Sequence, residues 1–463
     1  MTGCSSTADP ITATAASSLD LPVGPLHNLV TTELTAAQRI ALGEQLFFDV
    51  NLSANRNQSC ASCHAPNWGF AGPDKAATRE GGLIAHTFIP GSFRDRFGTR
   101  NVPTAAYASF TPTLRFEQGA AGDGPALENV WRGGAFWDGR ASGFGALNPI
   151  SEQALGPFVS RAEEAFPSLA CVVYEVQRSK YYTTYFTSSS APPLKFNGFD
   201  PTWCATEDRE EINEWLDEGH FTRRPNISAA WTNIARFIGD YESSNKVNRF
   251  ASAFDTRKMN REQQQGFVIF MGKGKCAACH VGEDNGQPAP PAEIFSDHSY
   301  YNLGLPTNRD TPGWTPAFRD EGLGAFLRDN WAAVRTATGL ADVPPSHAAH
   351  YTNWYGAFKT ATVRNVAKKA SGASVKTYMH NGVLTSLEQV VDFYNTRDVR
   401  PCRGSVSPMI LRSGLWSCWP TPEVNDAKNV IGRDIEPGLV GNLGLTAAEQ
   451  KALVAFMTAL SDK

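Results

Sequence analysis

The sequence predicts a mainly α chain made of two like halves, on three observations. Apolar residues recur at helical spacing in capped segments, one such segment occurs twice in nearly the same form, and no stretch alternates strongly enough to build a large sheet. The first segment is Leu34-Thr35-Ala36-Ala37-Gln38-Arg39-Ile40, continuing through Leu42, Gly43, Leu46 and Phe47 to Phe48, with Thr35 placed as N-cap and an end at Asp49. In the second, Asn260 caps a run through Gly266, Phe267, Ile269 and Phe270. Both read as capped helix, Gly-x-x-x-Phe (Gly43 to Phe47, Gly266 to Phe270), loop, and then Cys-x-x-Cys-His, which is the pattern of an internal duplication. A C-terminal amphipathic run from Thr446 through Leu453, Phe456 and Met457 is expected to close the second unit. Further helices are expected at Glu210 to Leu216, Ser228 to Asp240 and Ser386 to Asn395, with Gly/Pro-punctuated stretches at 283–320 and 398–442.

The chain has 463 residues, enough for two or three domains. Residues 1–30, rich in Ser, Thr, Ala and Pro, read as a flexible leader, followed by units at 31–245 and 246–463. Hydrophobic residues are 41% and charged residues 19%, ordinary for a chain with a sizeable core. Net charge is −4 without a basic block, which argues against nucleic acid as a partner. No apolar run reaches the ~18 residues a membrane-spanning helix needs. Near the start, Thr2-Gly3-Cys4 followed by Ser5, Ser6 and Thr7 resembles the end of a bacterial lipoprotein signal. Lipid on Cys4 is the one membrane attachment expected, with a free thiol as the alternative.

Four of nine cysteines lie in Cys60-Ala-Ser-Cys63-His64 and Cys276-Ala-Ala-Cys279-His280. Two thiols at this spacing add to the two vinyl groups of one haem, and the adjoining imidazole reaches the iron as proximal ligand. Two c-type haems are therefore expected, and each half is read as a cytochrome c-like unit. A zinc site would use the same residue types, but it gives no reason for each His to follow its second Cys directly or for the duplicated flanks. Setting Cys4 aside, the rest form two local pairs, Cys171 with Cys204 and Cys402 with Cys418, in stretches where a disulfide would hold a loop; free buried thiols are the alternative. Disulfides and c-type haem both point to the periplasm.

Beyond the haem motifs, five segments carry a resemblance to the bacterial dihaem cytochrome c peroxidases and their MauG branch. They are Arg100-Asn101-Val102-Pro103-Thr104, Phe136-Trp137-Asp138-Gly139-Arg140-Ala141, Glu152-Gln153-Ala154-Leu155-Gly156-Pro157, Val363-Arg364-Asn365-Val366 and Tyr378-Met379-His380-Asn381-Gly382. The resemblance covers most of 34–160 and 260–460. It implies that the His64 haem is the peroxidatic one, with Gln153 and Glu163 as its distal pair. A carboxylate beside bound peroxide can take a proton from one oxygen and return it to the leaving one. Glu164 stands one residue from that register and is the alternative. Trp137 matches the tryptophan between the two haems, where an indole can relay an electron. Asn101 matches the inter-domain calcium ligand, with the main-chain carbonyls of Val375 and Thr377 completing the site, although the family usually has Thr and Pro there.

The sixth ligand of the His280 haem decides between branches. In the peroxidases it is a Met fourteen residues after the His of the Tyr-x-His motif; counted from His380 this position is Tyr394, as in the MauG branch. A hard phenolate favours ferric and higher oxidation states, a thioether the ferrous state. Met409 is the competing ligand. His86 lies in the loop from which peroxidases park a His on the first haem, but the loop is longer and its pattern differs, so a solvent-exposed His is expected. The function implied is MauG-like: reaction with hydrogen peroxide, a high-valent two-haem state, and long-range oxidation of a Trp or Tyr of a protein substrate. The alternative is a peroxidase fed by a small cytochrome or cupredoxin.

Overall fold

A computed structural model describes residues 34–463 apart from 74, 80–81, 87, 119–128, 180–193, 207–208, 219, 281–292, 341–348, 373–374 and 405. The leader and Cys4 lie outside the described residues. The first half holds α1 (Ala36–Phe48), α2 (Cys60–Cys63), α3 (Pro149–Gln153), α4 (Gly156–Val159), α5 (Leu169–Arg178), α6 (Trp203–Thr206), α7 (Arg209–Glu218) and α8 (His220–Glu242). The second holds α9 (Arg261–Met271), α10 (Ala277–His280), α11 (Leu323–Ala337), α12 (Ala349–Thr352), α13 (Leu387–Thr396) and α14 (Ala447–Ala459). Strands are confined, among the described residues, to three antiparallel pairs: β1 (Lys75–Arg79) with β2 (Gly82–His86), β3 (Arg115–Gln118) with β4 (Asn129–Arg132), and β5 (Tyr300–Tyr301) with β6 (Phe358–Lys359). The chain is mainly helical with no large sheet, as expected.

Local chemistry starts the principal helices where the sequence places them. Thr35 and Gln38 close a capping box on α1: Thr35 Oγ1 accepts from the Gln38 amide at 3.3 Å, and Gln38 Oε1 accepts from the Thr35 amide at 2.8 Å. Asn260 with Gln263 does the same for α9, and Thr446 with Glu449 for α14. Two of the longer helices, α5 and α11, lie outside the segments singled out from the sequence; Ser168 caps the first and Gly322, at φ 56°, opens the second.

In each half the first helix crosses the last, and the crossing point is the repeated glycine. A Cβ on Gly43 would lie 1.8 Å from the Phe237 carbonyl oxygen of α8, and one on Gly266 would lie 1.9 Å from the Ala452 carbonyl oxygen of α14. One turn on, the repeated phenylalanine packs against the same partner helix: Phe47 meets Tyr241 with centroids 5.2 Å apart, and Phe270 meets Phe456 at 5.2 Å. The first core spreads from this contact through Leu42, Leu46, Ile234 and Ile238, the second through Phe295, Leu453 and Leu460.

Both cysteine pairs outside the haem motifs are disulfides: Cys171–Cys204 ties α5 to α6, and Cys402–Cys418 closes a hairpin beyond α13. The halves are joined by buried polar contacts. Tyr107 donates to Asp462 Oδ2 at 2.6 Å and the Lys376 ammonium to the Trp68 carbonyl at 3.1 Å, while within the second half Arg364, wholly buried, forks onto Asp255 at 2.8 and 3.0 Å.

Gly266→Ala should part α9 from α14, because backbone rather than a flexible side chain blocks the new methyl. The expected loss is about 1–3 kcal/mol, read as a lower melting temperature of the haem-loaded protein. Gly98→Ala, with no atom within 4 Å of its Cβ position, serves as the unaffected control.

Candidate haem sites and the ground between them

The two Cys-x-x-Cys-His motifs fold alike. Each forms one helical turn, α2 or α10, directly after the loop that leaves α1 or α9. His64 Nδ1 donates to the Phe70 carbonyl at 3.1 Å, and His280 Nδ1 donates to the Phe295 carbonyl at 3.1 Å. A carbonyl can only accept, so the proton is held on Nδ1 and Nε2 is bare, the tautomer a metal-ligating imidazole needs. Burial lowers the pKa of both rings, which keeps them neutral. Phe70 and Phe295 both occupy left-handed backbone, φ 59° and 57°, which few non-glycine residues adopt. This matched pair of carbonyls is invisible to a motif search, because the backbone supplies it.

The four motif cysteines are not disulfide-bonded. Burial pushes the Cys276 thiol up to about 12 and the other three further still, so all four are neutral. Cys276, Cys279, His280 and Tyr394 line one cavity, together with Trp137 and Asn101. His380 also lines it; its Nε2 is buried without a hydrogen-bond partner, and its ring lies flat against Phe358 with centroids 3.4 Å apart. Two thiols, a bare imidazole nitrogen, a phenol and an orphaned imidazole nitrogen around one cavity fit a covalently held haem with polar edge groups. Burial raises the Tyr394 phenol, and the neighbouring Cys279 and Cys276 add to the effect. Met409, the competing ligand, is 66% exposed at the surface hairpin.

Around the first motif two adjacent carboxyl groups converge. Glu164 is 3% exposed, its Oε2 has no hydrogen-bond partner, and burial, then the charge of Glu163, lifts it to about 8. Glu163 is half-buried and also raised by burial, while the Ser160 hydroxyl and the Arg140 charge pull it back. Both act on the Cys63 thiol, Glu164 more strongly. Their backbone is pinned by the amides of Ser92, donating to the Glu163 carbonyl at 2.6 Å, and Ala54, donating to that of Glu164 at 2.8 Å. Gln153 ends α3, which Asn148 caps. Arg140 lies over the Phe136 ring at 3.6 Å, and the Phe136 ring stands 3.5 Å from where a Gly156 Cβ would sit at the start of α4. The Phe136–Arg140 loop, the α3–α4 corner and Glu163 thus form one neighbourhood. His86 falls in β2, and its side chain lies outside the described residues.

Trp137 stands between the two motifs. Its indole N–H donates to the Asn101 carbonyl at 2.8 Å, its own carbonyl accepts from Lys359 N at 2.9 Å, and its ring is 6.5 Å from that of His380. The cavity wall beside it includes Pro103, whose carbonyl also acts on His64. Below it, Arg100 binds Asp138 at 2.5 Å and forks onto Asp320 at 2.7 and 2.8 Å. Those arginine charges hold Asp138 well below the usual carboxylate range against its burial.

Asn101 is 8% exposed, and its amide meets the carbonyls of Thr377 (3.2 Å) and Met379 (3.1 Å). Turning that amide by half a rotation brings three oxygens together, the hard, neutral donor set that calcium accepts. Thr377, one of the two residues expected to complete the site with Asn101, faces it here, and the Met379 carbonyl does so as well. Lys376, in the same strip, sends its ammonium to the carbonyls of Trp68 (3.1 Å), Asn365 (3.3 Å) and Lys368 (2.9 Å), tying the first motif's loop to the second half. Sequence reasoning passed over this residue, although it lies between Val375 and Thr377, both of which it named.

The dihaem cytochrome c peroxidase family model matches residues 37–263. The methylamine utilization protein MauG of Paracoccus denitrificans is 29% identical over 455 residues, 95% of each chain. The cytochrome-c peroxidase IdrP1 of a Pseudomonas species is 25% identical over 365 residues, 78% of this chain and 72% of that one. Among solved structures, a variant of the dihaem peroxidase BthA of Burkholderia thailandensis superposes with a TM-score of 0.63 at 26% identity, covering 92% of this chain and 86% of the other. With paired haem motifs set in paired helix crossings, the chain carries a domain of the dihaem cytochrome c peroxidase and MauG family, whose members are peroxide-dependent oxidoreductases.

Proposed function

We propose that the chain reacts with hydrogen peroxide at the His64 centre and uses the His280 centre to oxidise a Trp or Tyr side chain of a protein substrate, as a MauG-like enzyme. The observation that carries this reading is Tyr394, which lines the same cavity as Cys276, Cys279 and His280 where a peroxidase would have Met. Two haems, when bound through Cys60, Cys63 and His64 and through Cys276, Cys279 and His280, would supply the iron that takes up the two oxidising equivalents of peroxide. The phenol of Tyr394 would help hold that second iron, and a hard oxygen donor there would favour its more oxidised states.

At the first centre Glu163 accepts a proton from one peroxide oxygen and returns it to the leaving oxygen, and the Gln153 amide positions the peroxide. Glu164, buried and raised to about 8, holds a proton beside it near neutral pH. Trp137 links the centres, its indole held by the Asn101 carbonyl. Calcium held by Asn101 with the carbonyls of Thr377 and Val375 or Met379 stiffens the junction. The two disulfides and the haem motifs support a periplasmic location, with lipid on Cys4 as its only membrane anchor. The peroxidase names among the relatives favour one second reading: reduction of peroxide with electrons from a small cytochrome or cupredoxin.

The proton-accepting form of Glu163 is the carboxylate, and burial raises its pKa, so the rate of reaction with peroxide should climb with pH along a limb above the range of an exposed glutamate. Glu163→Gln should remove that limb and slow the step by about 10²- to 10⁴-fold, measured by stopped-flow absorbance from pH 5 to 9. If Glu164→Gln has that effect and Glu163→Gln does not, the base is Glu164.

Stoichiometric peroxide should leave both centres oxidised in a long-lived state, visible by absorbance and EPR, that Trp137→Phe shortens or abolishes with the resting spectrum unchanged. Rapid steady consumption of peroxide with a reduced cytochrome, and no lasting oxidised state, would favour the second reading. EGTA should lower the melting temperature, and added calcium should restore it; indifference to both would remove calcium from the junction.

A further inference from the structure

Beyond Tyr394 the structure carries a line of aromatic rings outward to a surface hairpin. Tyr394 touches Phe393 (centroids 6.0 Å), Phe393 touches Trp419 (5.1 Å, edge-on), and Trp419 stacks on Trp416 (5.6 Å, planes 14° apart). Trp419 is 2% exposed and donates its indole N–H to Thr396 Oγ1 at 2.9 Å, whereas Trp416 is half-buried. The Trp416 Nε1 is buried with no hydrogen-bond partner among the described residues.

The surface at the end of this line is built. The Cys402–Cys418 disulfide closes the base of the hairpin, and Trp416 pairs across it with Ile410. The Gln389 amide donates to the Gly414 carbonyl at 2.8 Å, fastening the tip to α13, the helix that carries Tyr394. Val406, Met409 and Ile410 are 59%, 66% and 58% exposed, a cluster that a soluble surface seldom shows without a partner. Residues 399–418 carry three arginines, Arg400, Arg403 and Arg412, and no acidic residue, in a chain whose net charge is −4.

We propose that Trp419 and Trp416 form an electron relay from the Tyr394 centre to the 399–418 hairpin, where a redox-active protein docks through an apolar patch bordered by carboxylates. Phe393 is too hard to oxidise and serves as a packed bridge. Trp419 gives one electron to the oxidised centre and is refilled by Trp416, which becomes an indole cation radical. Lacking an acceptor for its N–H, Trp416 keeps that proton. The docked protein then supplies one electron to Trp416 and restores the neutral indole. Two such passages deliver the two electrons that, with two protons from the partner side chain or from solvent, reduce one hydrogen peroxide to two waters. The relay rests on the reading of Tyr394 as a group at the second haem, and it serves a protein substrate or a cytochrome-type donor alike.

The test uses the haem-loaded, full-length protein and two reduced probes of opposite charge, plastocyanin (acidic) and mitochondrial cytochrome c (basic). Haem absorbance per protein and melting temperature show that each variant is folded and loaded. Without a donor, peroxide should give a rapid-freeze EPR signal of an indole radical, altered in protein grown on ring-deuterated tryptophan and lost in Trp416→Phe. Oxidation of plastocyanin should slow by about tenfold or more in Trp416→Phe and in Trp419→Phe. Arg403→Glu with Arg412→Glu should raise the KM for plastocyanin by about tenfold and lower that for cytochrome c. Unchanged plastocyanin oxidation in both folded tryptophan variants would falsify the relay. Absence of a long-lived oxidised state in the wild type, with donor oxidation still slowed in those variants, overturns the MauG-like reading and leaves the relay standing.

Discussion

Two helix crossings set the geometry on which both candidate centres depend. At Gly43 and at Gly266 the backbone of the partner helix lies where any side chain would begin, so each pair can approach only as long as glycine stays. That approach lets Phe47 and Phe270 seat against Tyr241 and Phe456 one turn later. Each opening helix then leads into the loop that carries Cys-x-x-Cys-His, and the carbonyl of Phe70 or Phe295 turns the imidazole. A looser crossing would move the thiols and the imidazole together, which is why the repeat conserves the glycine and the phenylalanine within the chain.

The second constraint is the rigidity of the ground between the centres. In the proposed function, electron transfer through Trp137 would depend on distances that buried polar groups hold fixed: Arg100 with Asp138 and Asp320, Arg364 with Asp255, and the Lys376 ammonium on three carbonyls. Such groups contribute little net stability when paired, but losing one partner of a buried pair costs about 3–5 kcal/mol. They resist alternatives to the native junction more than they strengthen it. Asn101 combines both duties, since its carbonyl holds the indole of Trp137 while its amide faces the carbonyls of Thr377 and Met379.

What was legible in the sequence was local. The caps at Thr35, Asn260 and Thr446 need only residues three positions away, and the disulfides join cysteines near each other in the chain. The haem motifs are contiguous, and the order of the longer motifs was enough for the family. Non-local contacts were harder to read. Gly43 was visible as a repeated letter, but Phe237, the group that forbids a side chain there, is far along the chain. The Phe70 and Phe295 carbonyls belong to the backbone, which the sequence does not distinguish. Met379 was likewise not named as a partner of Asn101, because what meets the amide is its backbone carbonyl rather than its side chain.

Taken together, the two centres divide protons from electrons. The first is bordered by Glu163 and Glu164, whose burial raises both carboxyl groups and brings Glu164 to about 8, as the proposed proton transfer to peroxide would use. The second is bordered by a phenol, by His380, neutral with a pKa of about 3, and by aromatic rings, none of which readily exchanges a proton at neutral pH. A centre without proton traffic holds an oxidising equivalent longer, because fewer side reactions can discharge it. In the proposed relay its outlet on the side away from Trp137 is the aromatic line through Phe393, and the arginine-bearing hairpin would select what stands at the end of it.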